Sequence, residues 1–194
     1  MGSDPVYCGI LLAAGSSSRF GGFKLMHPID GVPMVLKSAL AMKSALGAVV
    51  VAVRPGSPCL PTLFGQPGIR VVESPRAAEG MGGTLADVVA ALPADTPGFI
   101  IGLADMPFIA PHTVGRVARA LAGGACLVAP AYRGERGHPV GLGAAYRDQL
   151  LALQGDAGAR AIIKRDAALV TLVEVDDPGV LRDIDTPQDL DPPT

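Results

Sequence analysis

An apolar strand that runs into a loop of very small residues most limits what this chain can fold into. Residues 6–12 form the apolar run, and the chain continues as Ala13-Ala14-Gly15-Ser16-Ser17-Ser18-Arg19-Phe20-Gly21-Gly22-Phe23-Lys24. Small residues let the backbone turn sharply, so that several N–H groups can point into one concavity and bind an anion such as a phosphate. Arg19 and Lys24 would add positive charge at the rim of that concavity.

The loop matches neither of the two common phosphate-binding motifs. It lacks G-x-x-x-x-G-K-[ST], because position 20 is Phe and Lys24 is followed by Leu25. It also lacks G-x-G-x-x-G, because Ser17 stands in place of the second glycine. From the loop alone, a phosphate site and an ordinary strand-to-helix connection both remain open.

Composition indicates one folded domain and excludes several classes of partner. The chain has 194 residues, of which 49% are hydrophobic and 18% charged, so it can bury a core of its own. A net charge of −2 and an aromatic content of 4% argue against a nucleic-acid partner. We expect a short lead-in over residues 1–6 and one domain over residues 7–190.

Cysteine usage and hydropathy predict a cytoplasmic protein without a membrane segment. Cys8, Cys59 and Cys126 are odd in number and have no C-x-x-C spacing, so we expect free thiols in a reducing compartment. No secretory signal precedes the first apolar run, because it lacks a basic region before it. The longest purely apolar segment, residues 48–53, is far too short to span a bilayer.

Strand and helix patterns alternate along the chain and predict an α/β fold. Such alternation favours right-handed crossovers, a mostly parallel Rossmann-like sheet and a three-layer α/β/α domain. We also expect a hairpin excursion near residues 130–142, where Gly134 and Gly137 interrupt the pattern. Strands are expected near residues 6–12, 48–53, 69–73, 99–103, 125–129, 169–175 and 180–184, and helices near 34–44 (opened by Pro33 at its first position), 84–92, 112–122, 144–153, 159–164 and from Pro187.

Asp105 is a second candidate for chemistry. It is the only formally charged residue between Asp95 and Arg116, and it follows the predicted strand at residues 99–103. Ligands of parallel sheets bind beyond the carboxyl ends of the strands, where the first loop also lies. Asp105 could therefore bind Mg²⁺, which favours one or two protein carboxylates together with phosphate oxygens and water. A helix cap after Pro107 is the alternative.

Several motifs together resemble one known family. The L-A-A-G-S-S-S-R-F-G-G-F-K segment resembles the signature of the MobA-like nucleotidyltransferases, and segments 79–85, 103–107, 136–140 and 182–187 match that family in order and spacing. Within the family, the chain is most similar to the molybdenum cofactor cytidylyltransferases of the MocA branch. Guanylyl-transferring relatives usually carry L-A-G-G, whereas this chain has Ala13-Ala14-Gly15.

The resemblance implies a reaction and a donor site. The fold would be that of the nucleotide-diphospho-sugar transferases, and CMP would pass from CTP to the terminal phosphate of molybdopterin cofactor, giving the cytosine dinucleotide and pyrophosphate. Arg19, Lys24 and Asp105 would be catalytic. Asp105, with Asp185 as a second ligand, would hold Mg²⁺; a helix N-cap is the alternative for Asp185. The nucleotide would be bound by Leu12, Ala13, Ala14, Gly15, Ser16, Ser17, Ser18, Gly80, Gly82, Gly83 and Thr84.

For two of these segments a structural role remains an alternative. The segment from Gly80 to Thr84 could also be a helix start with Thr84 as its N-cap. In relatives the Gly137-His138-Pro139 element faces the acceptor, so His138 and Gly137 would bind that substrate, although a lone histidine is more often structural. Arg133, Arg136 and Arg182 are candidate contacts for an anionic acceptor or ordinary solvated charges.

Rival functions remain open at this point. The same fold could use another acceptor or another nucleotide. The chain could also carry molybdenum cofactor to a molybdenum hydroxylase without turnover, although a carrier needs no triphosphate and metal machinery. A dinucleotide-dependent oxidoreductase is disfavoured by the missing G-x-G-x-x-G. We expect small-molecule substrates, with a hydroxylase client as a further partner.

Overall fold

The computed structural model of the chain describes residues 7–15, 20 and 23–190. The strands are β1 Cys8–Leu12, β2 Pro28–Ile29, β3 Val32–Pro33, β4 Val49–Val53, β5 Ile69–Glu73, β6 Gly98–Leu103, β7 Leu127–Tyr132, β8 Glu135–Arg136, β9 Val140–Gly143 and β10 Val170–Glu174. The α-helices are α1 Met34–Leu46, α2 Leu60–Leu63, α3 Met81–Ala90, α4 Pro111–Ala122, α5 Arg147–Leu151 and α6 Gly158–Arg165. Short 3-10 helices cover Lys24–Met26, Pro75–Glu79, Ala144–Tyr146, Ala167–Leu169, Pro178–Leu181 and Pro187–Leu190.

The main sheet is mostly parallel, as the strand–helix alternation predicts. Its strand order is β10-β7-β9-β6-β1-β4-β5. β1 lies between β4 and β6 and is parallel to both, with Leu11 opposite Val51 on one side and Gly102 on the other. Only β9 and β8 run antiparallel to their neighbours within the described part of this sheet. The predicted α/β class is confirmed.

Helices cover both faces of the sheet, which gives the three expected layers. Alternate residues of β1 point to opposite faces, so Leu11 belongs to a core built with α1 and α4, while Ile10 belongs to one built with α3 and α6. β4 is buried along its whole length, as its Val-Val-Val-Ala-Val sequence requires in a sheet covered on both sides. Fully burying each such large apolar side chain contributes about 1.5–3 kcal/mol.

The hairpin prediction is confirmed, and the hairpin leads back into the main sheet. β7 and β8 are joined by Arg133 and Gly134, both with positive φ (52° and 80°), a turn geometry that suits twisted hairpins. The chain does not stay outside the sheet, because β9 inserts between β6 and β7.

Other boundaries differ from the sequence prediction. The strand expected at residues 180–184 is wrong: the segment begins as the 3-10 helix Pro178–Leu181 and continues without regular structure. Pro178 lacks an N–H for a ladder hydrogen bond, and Gly179 is pressed against Phe108, where a Cβ would lie 2.2 Å from the Phe108 carbonyl oxygen. Pro33 is the N-cap of α1 and not its first residue. The helix expected at 144–153 splits into a 3-10 turn and α5.

The carboxyl ends of the central strands converge at one edge of the sheet. There, the Ala13 amide donates to the Ala52 carbonyl at 2.8 Å, and the Ala104 amide donates to the Leu12 carbonyl at 3.0 Å. The loops after β1, β4 and β6 therefore begin side by side. None of the helices in the described residues combines the length and apolar character that a membrane span needs.

Candidate active site

Lys24, Asp105 and Asp185 meet at this edge of the sheet. The Lys24 ammonium donates to Asp105 Oδ2 at 2.9 Å and to Asp185 Oδ1 at 3.2 Å. The Lys24 side chain is 8% exposed, whereas the two carboxylates are 27% and 37% exposed. Three residues far apart in the sequence thus form one charged cluster that opens toward solvent on its carboxylate side.

The C-terminal segment brings Asp185 to this cluster. It is fastened at its start by Asp177, whose buried carboxylate accepts hydrogen bonds from the Ala110 amide (2.9 Å), the Thr113 hydroxyl (2.6 Å) and the Gly179 amide (3.0 Å). Further along, the Ile184 amide donates to the Asp105 carbonyl at 2.9 Å. The two carboxylates of the cluster are therefore coupled through the backbone as well as through Lys24.

Asp189 fixes the backbone on the other side of Asp185. Its Oδ2 accepts hydrogen bonds from the amides of Asp185 (3.0 Å) and Thr186 (2.7 Å) and from the Thr186 hydroxyl (2.9 Å). The hydrogen bonds from Thr186 and then from the Asp185 amide hold the pKa of Asp189 below its usual value. This leaves the Asp185 side chain directed at Lys24.

A cleft of about 690 Å³ adjoins the cluster. Such a volume is in the range of small-molecule sites. Among the residues predicted to bind nucleotide, those in the cleft wall are Leu12, Ala13, Ala14, Gly15, Gly80 and Thr84, and the wall also includes Lys24, Leu25, Arg54, Pro55, Pro75, Ala77, Ala78, Met81, Leu103, Asp105 and Asp156. Ser16, Ser17, Ser18 and Arg19 lie outside the described residues.

The glycines at the start of α3 are explained partly by close packing against neighbouring backbone and partly by a position in the cleft wall. Gly80, with φ of 117°, is the N-cap of α3, and the Thr84 hydroxyl donates to its carbonyl at 3.1 Å from within the first turn. The alternative that Thr84 is the N-cap is therefore wrong. Gly82 and Gly83 are buried: a Cβ would lie 2.7 Å from the Gln154 carbonyl oxygen at Gly82 and 2.9 Å from the Arg76 carbonyl oxygen at Gly83. Neither residue is part of the described cleft wall.

Gly137 and His138 pack against the C-terminal segment. The His138 amide donates to the Val180 carbonyl at 3.0 Å, and a Cβ at Gly137 would lie 2.2 Å from the same oxygen. His138 Nδ1 is buried and has no hydrogen-bond partner among the described residues. Burial lowers the pKa of His138; the charge of Asp105 raises it in part, and Arg136 and Arg160 lower it further. His138 is thus neutral at neutral pH, and it lies close enough to Asp105 for the charge of that carboxylate to affect its pKa.

Sequence reasoning did not identify Arg54. Its guanidinium donates to the Ala14 carbonyl at 2.9 Å, and so ties the first loop to the end of β4. The available signal was its position directly after the predicted strand at 48–53, at the same edge of the sheet.

Arg182 was one of the arginines considered for binding an anionic acceptor. Its guanidinium carbon lies 3.9 Å from the centroid of the Phe108 ring, and its guanidinium donates to the Asp189 carbonyl at 2.9 Å. Arg182 therefore has a structural role.

The carboxylate pair fits a hard divalent cation. No cluster of three or more histidine, cysteine, aspartate or glutamate side chains with metal-binding geometry occurs in the described ranges. Asp105, in the cleft wall, and Asp185, which shares Lys24 with it, supply two carboxylates, which suits Mg²⁺ because it completes its shell with water and phosphate oxygens. Cys8 and Cys59 are poorly suited as thiolate ligands, since burial raises the pKa of Cys8 to about 11 and also raises that of Cys59.

Comparison with known proteins matches the chain to one family. The profile of the MobA-like NTP transferase domain covers residues 9–170. Nicotine blue oxidoreductase of Paenarthrobacter nicotinovorans is 29% identical over 197 aligned positions, which cover 96% of this chain and 95% of that protein.

Solved structures share the fold at lower identity. A Mycobacterium tuberculosis protein in complex with manganese has a TM-score of 0.77 at 22% identity, with 94% of this chain and 95% of that chain covered. CMP:2-keto-3-deoxy-manno-octonic acid synthetase in complex with CTP has a TM-score of 0.73 at 14% identity, with 95% of each chain covered. The fold is accordingly that of the nucleotide-diphospho-sugar transferases.

Proposed function

The chain belongs to the family of MobA-like NTP transferase domains, and from that premise we propose that it transfers CMP from CTP to the terminal phosphate of molybdopterin cofactor. The products are the cytosine dinucleotide form of the cofactor and pyrophosphate. The observation that carries the proposal is the charged cluster of Lys24, Asp105 and Asp185, of which Lys24 and Asp105 line a cleft of about 690 Å³.

The donor side of the proposed site consists of the first loop and Lys24. Backbone N–H groups of Ala14 and Gly15 are proposed to bind the triphosphate, and Arg54 holds the loop through the Ala14 carbonyl. Lys24 exchanges a carboxylate partner for a phosphate oxygen and so balances the charge that grows on the α-phosphate and on departing pyrophosphate. Arg19, outside the described residues, is proposed to act beside Lys24.

Asp105 and Asp185 are the proposed metal ligands. They would hold Mg²⁺, and the bound ion would supply charge neutralisation at the phosphate oxygens and in the transition state. Asp177 accepts hydrogen bonds from Ala110 and Thr113 and so fastens the segment that keeps Asp185 within reach of this position.

The acceptor side lies around His138. The nucleophile is an ionised phosphate of the acceptor, so it needs positioning and charge screening more than a general base. His138, neutral and with an unpartnered Nδ1, would contact the acceptor without transferring a proton. Arg136 and Arg160, whose charges act on His138, supply positive potential for an anionic acceptor.

A second candidate is a redox reaction, and the observation that favours it is the 29% identity to a protein named nicotine blue oxidoreductase. That relative covers nearly the whole chain. A nicotinamide dinucleotide could use the same cleft through its pyrophosphate, although the first loop lacks G-x-G-x-x-G. The charged cluster favours phosphoryl chemistry, because hydride transfer needs no pair of carboxylates.

Pyrophosphate release tests the proposal. The protein is incubated with Mg²⁺ and CTP, GTP, ATP or UTP in turn, with and without molybdopterin cofactor, and the Asp105→Asn and Lys24→Gln variants run in parallel. Asp95→Asn, an exposed carboxylate far from the cleft wall, is the matched control. Release only with CTP and the cofactor, lost in both site variants and kept in the control, is expected.

Three other outcomes would each redirect the assignment. Cofactor-dependent release with GTP keeps the mechanism and changes the base. Tight cofactor binding without release from any nucleotide contradicts the transferase proposal and favours a carrier. Oxidation of NADH or NADPH in the presence of a dye substrate, with no pyrophosphate release, favours the redox candidate.

A further inference from the structure

Asp156 enters the cleft from a segment that has no part in the chemistry described above. It lies between α5 and α6, about fifty residues beyond Asp105 in sequence, yet its side chain forms part of the cleft wall beside Gly80 and Met81. In the described part of the chain, the Asp156 carboxylate has neither a hydrogen bond nor an ion pair. Because Asp156 is exposed within the cleft, its carboxylate is available to accept hydrogen bonds from a ligand.

The segment that carries Asp156 is held firmly against the start of α3. The Gly82 amide donates to the Gly155 carbonyl at 2.7 Å. A Cβ at Gly80 would lie 2.3 Å from Asp156 Oδ1, and one at Gly158 would lie 3.0 Å from Met81 Sδ. The glycines of both segments thus allow a close approach that sets the Asp156 carboxylate beside the N-cap of α3.

The charge of Asp156 limits which part of a nucleotide it can face. A triphosphate carries several negative charges, and a carboxylate next to it is repelled unless a cation lies between them. In the proposed function the phosphates lie at Lys24 and Asp105, which line the same cleft. The part of a nucleotide that lies away from the phosphates is the nucleoside, and its hydroxyl groups are hydrogen-bond donors.

We propose that Asp156 is a specificity-determining residue whose carboxylate accepts hydrogen bonds from the ribose hydroxyls of the bound nucleotide. The vicinal diol of ribose presents two donors at a spacing that one carboxylate can accept, which is the chemistry by which an acidic side chain selects ribose in dinucleotide-binding folds. The inference rests on the proposed function in two respects, that the cleft binds a nucleotide and that its phosphates lie toward Lys24.

Binding measurements with matched sugars test this assignment. Isothermal titration with Mg²⁺ present compares CTP, 2′-deoxy-CTP, 3′-deoxy-CTP and UTP for the wild type, Asp156→Ala and Asp156→Asn. Asp95→Asn is the control, since Asp95 is an equally exposed carboxylate outside the wall of this cleft. Because Asp156 is exposed at the surface, its variants are expected to fold, and thermal denaturation verifies this.

The wild type is expected to bind CTP about tenfold more tightly than either deoxy analogue, the size of one good hydrogen bond to a charged group. Asp156→Ala should bind CTP about tenfold more weakly and no longer distinguish it from the deoxy analogues. Asp156→Asn should fall between the two, and the control should behave as the wild type. An unchanged ribose preference in Asp156→Ala overturns the inference.

Other outcomes separate this inference from the proposed reaction. If Asp156→Ala keeps its ribose preference and loses only the distinction between CTP and UTP, the carboxylate contacts the base amine and the inference is wrong. If the wild type binds CTP with the expected sugar preference but releases no pyrophosphate, the proposed reaction fails and the assignment of Asp156 stands. Absence of any nucleotide binding by the wild type overturns both.

Discussion

The ammonium of Lys24 lies 2.9 Å from Asp105 Oδ2, within the same cluster that holds Asp185. A buried lysine needs a counter-charge, and two partly exposed carboxylates provide it. The ammonium therefore occupies the position at which a divalent cation would meet both carboxylates. If Asp105 and Asp185 bind the metal as proposed, lysine and metal compete for the same two side chains in the ligand-free protein.

This competition predicts how substitutions change metal affinity without nucleotide. Lys24→Gln removes the ammonium and leaves the carboxylates to repel each other, so Mn²⁺ should bind about tenfold more tightly than in the wild type. Asp105→Asn should weaken binding, because one ligand charge is lost. Titration of Mn²⁺ followed by electron paramagnetic resonance gives both affinities.

Lys37→Gln is the control for that measurement. Lys37 pairs with Asp30 and lies over the Phe108 ring, and neither contact involves a residue of the charged cluster, so its loss should leave Mn²⁺ affinity unchanged. Equal affinities of Lys24→Gln and the wild type would show that the cation binds elsewhere and would contradict the assignment of Asp105 and Asp185 as ligands.

The anchoring of the C-terminal segment gives a stability prediction. Asp177 is 5% exposed and accepts hydrogen bonds from Ala110, Thr113 and Gly179. Asp177→Ala should lower the free energy of unfolding by about 2–4 kcal/mol, because buried donors lose a charged acceptor. Urea denaturation monitored by circular dichroism measures the change. The exposed neighbour Asp176→Ala should change stability by less than about 0.5 kcal/mol, and an equal loss in both variants would contradict the anchoring role.

Two glycines offer a contrast between packing and binding. A Cβ at Gly137 would lie 2.2 Å from the Val180 carbonyl oxygen, whereas a Cβ at Gly15 would meet nothing within 4 Å. Gly137→Ala should therefore cost about 2–4 kcal/mol of stability, since rigid backbone atoms must move apart. Gly15→Ala should keep stability within about 0.5 kcal/mol and weaken nucleotide binding, because its methyl group enters the cleft.

Denaturation and nucleotide titration of the same two variants check this contrast. If Gly15→Ala binds nucleotide as the wild type does, the loop after β1 is not in contact with the ligand. If Gly137→Ala is as stable as the wild type, the close approach of residues 137 and 180 does not matter energetically.

The fold was largely predictable because its signals are local. Apolar runs such as Val49–Val53 and the alternation of strands and helices specify a mostly parallel sheet, and Asp105 could be singled out as the one charge in an apolar stretch. The placement of β9 was not predictable, since local patterns do not say which neighbours a strand pairs with. The strand expected at 180–184 failed because the tertiary contacts of Asp177 and Gly179 outweigh a local apolar pattern.

The candidate site divides in the same way. Lys24, Asp105 and Asp185 belong to short motifs and could be named from sequence. Only the structure shows that both carboxylates lie within 3.2 Å of the Lys24 ammonium. Arg54 and Asp156 belong to none of these motifs, and their place in the cleft wall depends on how separate loops pack. Gly82 and Gly83 were expected to contact the nucleotide. The structure gives a packing reason for glycine at both positions, because a Cβ would collide with the backbone of Gln154 or Arg76.

His138 makes the stability of the protein depend on pH. Burial lowers its pKa in the folded protein, with Asp105 opposing and Arg136 and Arg160 adding to the shift, so the unfolded chain takes up the proton first as pH falls. The contribution of neutral His138 is complete above the usual histidine pKa of about 6.5 and is lost as pH falls below it toward the lower pKa of the folded state. The midpoint temperature of thermal denaturation of the wild type should decrease as the pH is lowered from about 7.5 to about 5.5. His138→Asn should flatten that dependence, whereas His112→Asn, at an exposed position of α4, should retain the wild-type slope. Parallel curves for the wild type and His138→Asn would show that this histidine does not titrate between the folded and unfolded states.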